Sequence, residues 1–157
     1  MKKMISAALI GTFVTTSMAS SLALAAGTQD DVKRALDVGT EYGITHFHSI
    51  ELDDDPNDFA EVEGWLDEQW YVELEINPDG TIHKEERHKR NGGPWGLSAD
   101  QTMEYLNAAS ERGLDQIEEI KMNKRGSVEI EGRHTNGREL ELDYEQGNME
   151  PVKEDLD

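Results

Sequence analysis

The chain contains no cysteine. That removes disulfides, zinc–thiolate sites, thiol catalysis and a cysteine-borne lipid anchor together, and leaves packing as the source of stability. Basic residues are scarce as well, with 15 Lys and Arg against 34 Asp and Glu. Such a surface repels nucleic acid and anionic lipid. It suits a cation, a basic protein surface, or simple solubility in a salty medium. Catalytic spacings are missing too: there is no HExxH pattern and no serine in a nucleophile elbow. Carboxylates are too numerous for any two to stand out as an acid/base dyad. The expectation is a non-enzyme without a cofactor.

Long apolar runs are confined to the first 25 residues. Lys2 and Lys3 precede a mostly apolar stretch from Met4 to Val14, and "SLALAAG" comes next with Ala23-Leu24-Ala25 in small-x-small spacing. This reads as an export signal (1–25) cut between Ala25 and Ala26. Gly11, Thr12, Thr15, Thr16 and Ser17 interrupt a run already short for a bilayer span of about 20 residues. The expected location is therefore the periplasm or the exterior, without stable membrane association and without lipidation. Loss of Lys2 and Lys3 leaves 13 basic residues against 34 acidic ones, a net charge of −21.

The remaining stretch, Ala26 to Asp157, matches itself. "EYGITHFHSIE" (41–51) aligns with "ERGLDQIEEIK" (111–121), "EVEG" (61–64) with "EIEG" (129–132), and "VELEI" (72–76) with "LELDY" (140–144). The offset drifts only from 70 to 68. The order of these matches predicts two tandem copies, 26–90 and 98–157, joined by a linker at 91–97. Each copy opens on a helical pattern. Val32, Ala35, Leu36 and Tyr42 share a face before Gly43. Ser98 and Gln101 make a capping box ahead of Met103, Leu106 and Ala109, with Gly113 as the stop. Alternating strands come after each helix: Val72, Leu74 and Ile76 point one way, and so do Val128 and Ile130, then Leu140, Leu142 and Tyr144. "NPDG" (77–80), "NG" (136–137) and "QGN" (146–148) supply turns. The class is α+β, with two helix-plus-antiparallel-sheet repeats and each helix packed on one face of a sheet of three or four strands. One helix over so small a sheet buries little, so the units are expected either to pack together or to share a continuous sheet.

This plan resembles the PepSY group of extracytoplasmic domains, including the PepSY-like branch whose fold is similar to the beta-lactamase inhibitory protein. The residues that carry the resemblance are the signal segment, the helix, the "G-[IL]-x-x-[FI]-x-x-I" approach to the first strand (Gly43 to Ile50, Gly113 to Ile120), the "DG" hairpin and the tandem copies. It spans Asp30 to Lys153. The resemblance implies a non-catalytic module that binds or restrains a protein, often a peptidase, in the periplasm or cell envelope. It supplies no catalytic residue. The acidity and the insertion "DDDPND" (53–58) depart from the family pattern.

Three sets of residues are candidates for function. His46 and His48 share a face at strand spacing, but Gln116 and Glu118 replace them in the second copy while Ile44, Phe47 and Ile50 keep apolar counterparts. That is the pattern of a solvated face. His83 and His88, five apart, would point to opposite faces, so no metal site is expected from the histidines. In "DDDPND", Asp53, Asp55 and Asn57 have the alternate spacing of calcium loops, but Asp58 stands where the motif has glycine. A flexible acidic loop is the plainer reading, with weak divalent-cation binding or buffering as the alternative function. The third set is aromatic: Trp65, Trp70, Tyr71 and Trp95. Arg133 and Arg138 replace Trp65 and Trp70 in the second copy, so these rings either anchor a protein partner or fill the gap between modules. Finally, Glu61, Glu63, Glu73, Glu75, Glu129, Glu131, Glu139, Glu141 and Asp143 crowd the outer sheet face, with only Lys84, Arg133 and Arg138 to relieve them. Like charges paired across strands cost on the order of a few tenths of a kcal/mol each.

Overall fold

The computed structural model describes residues 26–53 and 58–157. The export segment 1–25 and residues 54–57 of the acidic loop lie outside the described residues. Chain order runs α1 (Gln29–Tyr42), β1 (His46–Leu52), β2 (Ala60–Trp65), β3 (Trp70–Ile76), β4 (Ile82–Lys89), α2 (Ala99–Glu111), β5 (Leu114–Met122), β6 (Ser127–His134), β7 (Glu139–Glu145) and β8 (Lys153–Leu156).

Local chemistry explains where the helices begin and end. The Thr28 hydroxyl accepts from the Asp31 amide while the Asp31 carboxylate accepts from the Thr28 amide at 2.8 Å, a reciprocal cap that satisfies two orphan donors of α1. Ser98 and Gln101 do the same for α2. Gly43 ends α1 in the left-handed region, φ 118°. The faces turned inward are Val32, Ala35, Leu36 and Gly39 on α1, and Thr102, Tyr105, Leu106 and Ala109 on α2.

The expected pair of three- or four-stranded sheets does not form. The described strands make one eight-stranded antiparallel sheet in the order β4-β3-β2-β1-β5-β6-β7-β8. The seam is β1 against β5, through Ser49↔Lys121, Ile50↔Ile120 and Glu51↔Glu119. Two helix-on-sheet units would each leave an unpaired edge and bury little. Joining those edges satisfies the backbone and merges the interiors. One core results, running from Val32 and Leu36 through Ile50, Val62 and Leu74 to Leu106, Ile120, Ile130 and Leu142. The helices lie side by side over it, tied by Gln29 Nε2 donating to the Leu106 carbonyl at 2.9 Å.

Several strand pairs are irregular. Pairing slips between Phe47 and Ser49 on β1, at two places on β5, and at the β3–β4 pair near Glu75 and Ile76. A bulge of this kind puts two neighbouring side chains on one face and reverses the parity of the residues beyond it. Glycine stands opposite the bulged stretches, Gly64 facing Phe47 and Gly132 facing Ile117. A Cβ at Gly132 would collide with the Gln116 carbonyl oxygen, and one at Gly64 with that of His46. The outer strands are short on apolar residues: β4 reads "IHKEERHK" and β8 "KEDL". No helix among the described residues is long and apolar enough to cross a membrane.

Gly132→Ala should therefore push β5 and β6 apart and lower stability by about 1–3 kcal/mol. Urea denaturation checks this, and an unchanged midpoint would mean that the strands part without cost.

Candidate functional site

Both helices cover one face of the sheet. Among the described residues no helix covers the other face, which is left open, and the strand registers arrange its side chains in two rows that cross the molecule. The first row reads Lys84, Glu75, Glu61, Glu51, Glu119, Glu131, Glu141 and Asp155 from β4 to β8. The second reads Glu86, Glu73, Glu63, Ser49, Lys121, Glu129, Asp143 and Lys153. Directly paired side chains on a sheet sit about 5 Å apart, so carboxylate adjoins carboxylate with three lysines among them.

Those lysines are placed where they relieve most. Lys121 Nζ lies 2.7 Å from Glu119, 3.1 Å from Glu131 and 3.2 Å from Glu129. Burial pulls its pKa down, but the bonds to Glu119 and Glu131 outweigh that and hold it above the usual lysine value. Lys153 bridges Glu141 and Asp155 at 2.7 Å each. Lys84 bonds Glu75 and lies 3.3 Å from Glu86. Glu129 and Glu131 act on each other: their interaction raises the pKa of Glu129 and lowers that of Glu131. The middle of the face fares worse. Partial burial raises the pKa of Glu61, and its neighbours Glu63, Glu51, Glu75 and Glu73 raise it further. Glu51 is raised likewise by burial and by Glu119. A shallow depression among Glu61, Glu73, Glu75, Lys84 and Glu86 marks one side of this field. A second, of about 140 Å³, lies among Glu118, Glu131, Glu139, Glu141, Asp155 and Asp157.

One end of the open face is not bare. Residues 91–97 do not hang between modules but fold back over the sheet, held by the Phe47–Leu97 amide pair at 2.7 and 2.8 Å. Trp95 lies edge-on to His48, ring centres 4.6 Å apart, and 6.4 Å from Trp65. Trp65 in turn meets Tyr71 at 5.4 Å, and the Arg90 guanidinium stacks 3.6 Å over the Tyr71 ring. Trp65 is 1 % exposed and Tyr71 is fully covered. Gly93 is what lets the chain lie on the indole, since a Cβ there would strike the Trp65 ring. The candidate anchors therefore divide. Trp65 and Tyr71 face outward from the helices but are sealed under the linker, so they offer no surface to a partner in this arrangement. Trp95 is their half-buried lid. Trp70 stands apart at the β2–β3 turn, 37 % exposed, with the Lys89 ammonium 5.1 Å from its ring centre.

The histidines are also redistributed. His48 occupies the β1 bulge and is engaged, not solvated: its Nδ1 bonds the Tyr71 hydroxyl, which donates to Glu63. The His48 bond holds the Glu63 carboxyl below its usual pKa, and burial together with Glu63 pushes Tyr71 above its own. His46 bonds the neighbouring Thr45 hydroxyl at 3.0 Å. In the second half Glu118, at the matching bulge, is buried and pairs with Arg133 at 3.3 Å. His83 and His88 share one face instead of two, because the β4 irregularity makes His83 an extra residue between Ile82 and Lys84. His83 Nε2 lies 3.1 Å from both Asp58 Oδ1 and Glu75 Oε2. His88 Nε2 lies 3.7 Å from Glu73 and from Glu86. Among the described residues these are the two groups whose His and carboxylate atoms converge closely enough to hold an ion. Of the calcium-loop candidates, Asp55 and Asn57 fall outside the described residues.

No family model matches the chain, and no curated protein matches it. A solved structure to which it is similar is described as a putative lipoprotein from Clostridium difficile 630, with 12 % identity over 78 % of this chain and 90 % of that one, at a TM-score of 0.46.

The crowding and the aromatic lid each have a measurable effect. Glu61 has its pKa raised on folding, so its ionisation costs stability above the folded-state value and the cost disappears below the ordinary 4.5. Glu61→Gln should therefore stabilise by on the order of a few tenths of a kcal/mol at pH 7, and the gain should vanish in acid and shrink in high salt. Thermal melts at two pH values and two ionic strengths test it. Trp95→Ala should uncover Trp65, shift its emission to the red and cost about 2 kcal/mol. Unchanged stability would show the ring to be an unattached surface group.

Proposed function

We propose that this chain is an exported, non-catalytic binding module of the PepSY-like kind, which holds a basic protein surface against the open face of its sheet. The observation behind it is the pair of carboxylate rows, and above all the stretch from Glu75 through Glu61 and Glu51 to Glu119, where four like charges adjoin one another and the nearest lysines stand at the margins. Carboxylates kept adjacent on a stable face are a standing cost. A partner bringing Lys or Arg removes that cost on docking and gains steering during approach. The signal-like segment places such an encounter outside the cytoplasm, and the resemblance to PepSY domains makes a peptidase the first partner to test. The exposed part of Trp95 supplies apolar contact at the rim of the charged field, whereas Trp70 lies on the side of Val72 and Leu74, away from it.

Zero-length coupling of carboxylates to amines in intact cells, followed by mass spectrometry, tests this reading. The expected products join Glu51, Glu61 or their row neighbours to lysines of one recurrent protein. The double variant Glu51→Lys, Glu61→Lys should lose them, and raised salt should weaken the complex. Links confined to this chain itself, or a partner retained by the charge-reversed variant, would overturn it.

A further inference from the structure

We infer that Asp58, Glu75 and His83 form a binding site for one zinc-like divalent ion at the β3–β4 margin of the open face. Three separate stretches of chain supply them: the approach to β2, the end of β3 and the start of β4. Their ligand atoms lie within 4.8 Å of one another, with His83 Nε2 3.1 Å from each carboxylate oxygen. Ligands held tetrahedrally on zinc at about 2.0–2.1 Å are themselves roughly 3.3 Å apart, so only small side-chain movements separate this arrangement from a coordinated one. The chemistry asks for an ion. One imidazole nitrogen presents at most one proton, yet two carboxylate oxygens crowd the same nitrogen. A cation placed among the three satisfies all of them. The site also depends on a backbone irregularity, since the slip at β4 is what turns His83 to the side of Glu75. Lys84 bonds the other Glu75 oxygen and fixes that carboxylate's direction, as outer partners of metal ligands do. One nitrogen and two oxygens, with room for water, suit zinc. Calcium and magnesium ask for about six or more oxygens. The neighbouring group of Glu73, Glu86 and His88 is looser, and Glu73 there already bonds Arg90 at 3.0 Å.

The test is a calorimetric titration of the full chain with zinc chloride, in excess magnesium to occupy the diffuse acidic field. One equivalent should bind, and His83→Ala and Asp58→Asn should each weaken binding at least roughly tenfold, while His88→Ala leaves it unchanged. Zinc should also raise the melting temperature of the natural chain and not that of His83→Ala, and shift the His83 ring nitrogen resonance. Binding abolished by magnesium, or surviving His83→Ala, would overturn the assignment. So would binding lost on His88→Ala.

Discussion

Everything in this molecule depends on the pairing of β1 with β5. That seam turns two halves, each too small to bury a core of its own, into a single sheet with a continuous apolar side under two helices. It also decides what the opposite side looks like. Once the rows of the two halves are in register across the seam, Glu51 stands beside Glu119 and the carboxylates run uninterrupted from β3 to β8. The dry face and the charged face are thus products of one set of backbone hydrogen bonds.

The features legible from residues alone were those with local causes. The capping box at Ser98 and Gln101, the stop at Gly43, the glycine turns at 80, 137 and 147, and the alternation of Val72, Leu74 and Ile76 depend on neighbours a few positions away. The crowding of acids on one side came from the same alternation. What escaped was set by distant pairing. The strand edges that would join cannot be told from local patterning, so the residues predict two small repeats without saying how they meet, where the strands form one sheet of eight. A one-residue bulge leaves no mark in an alternating pattern, yet it moved His83 onto the face of His88 and placed His48 against Tyr71. The linker's path over the sheet was equally hidden. Nothing in "NGGPWGL" says which rings it will cover, although two adjacent glycines do allow a chain to lie flat on an indole.

The charged face sets stability against use. Its lysines are placed on the central β5 and the outer strands β4 and β8, and each is shared among two or three acids. Glu51 and Glu61 receive no comparable help, and the core beneath them bears the difference. Packing of Ile50, Val62 and Leu74, all nearly inaccessible to water, is what keeps those strands paired despite the repulsion above.

The two outermost strands carry a last implication. An open sheet ends in unpaired amides and carbonyls that invite another chain to add itself. Here the terminal ribbons are lined with charged residues of both signs, so a second molecule arriving edge-on would have to strip water from them before the ladder could grow. That cost of dehydration opposes extension of the ladder beyond its eight described ribbons, the kind of protection a protein so rich in pleated structure needs against stacking into fibres.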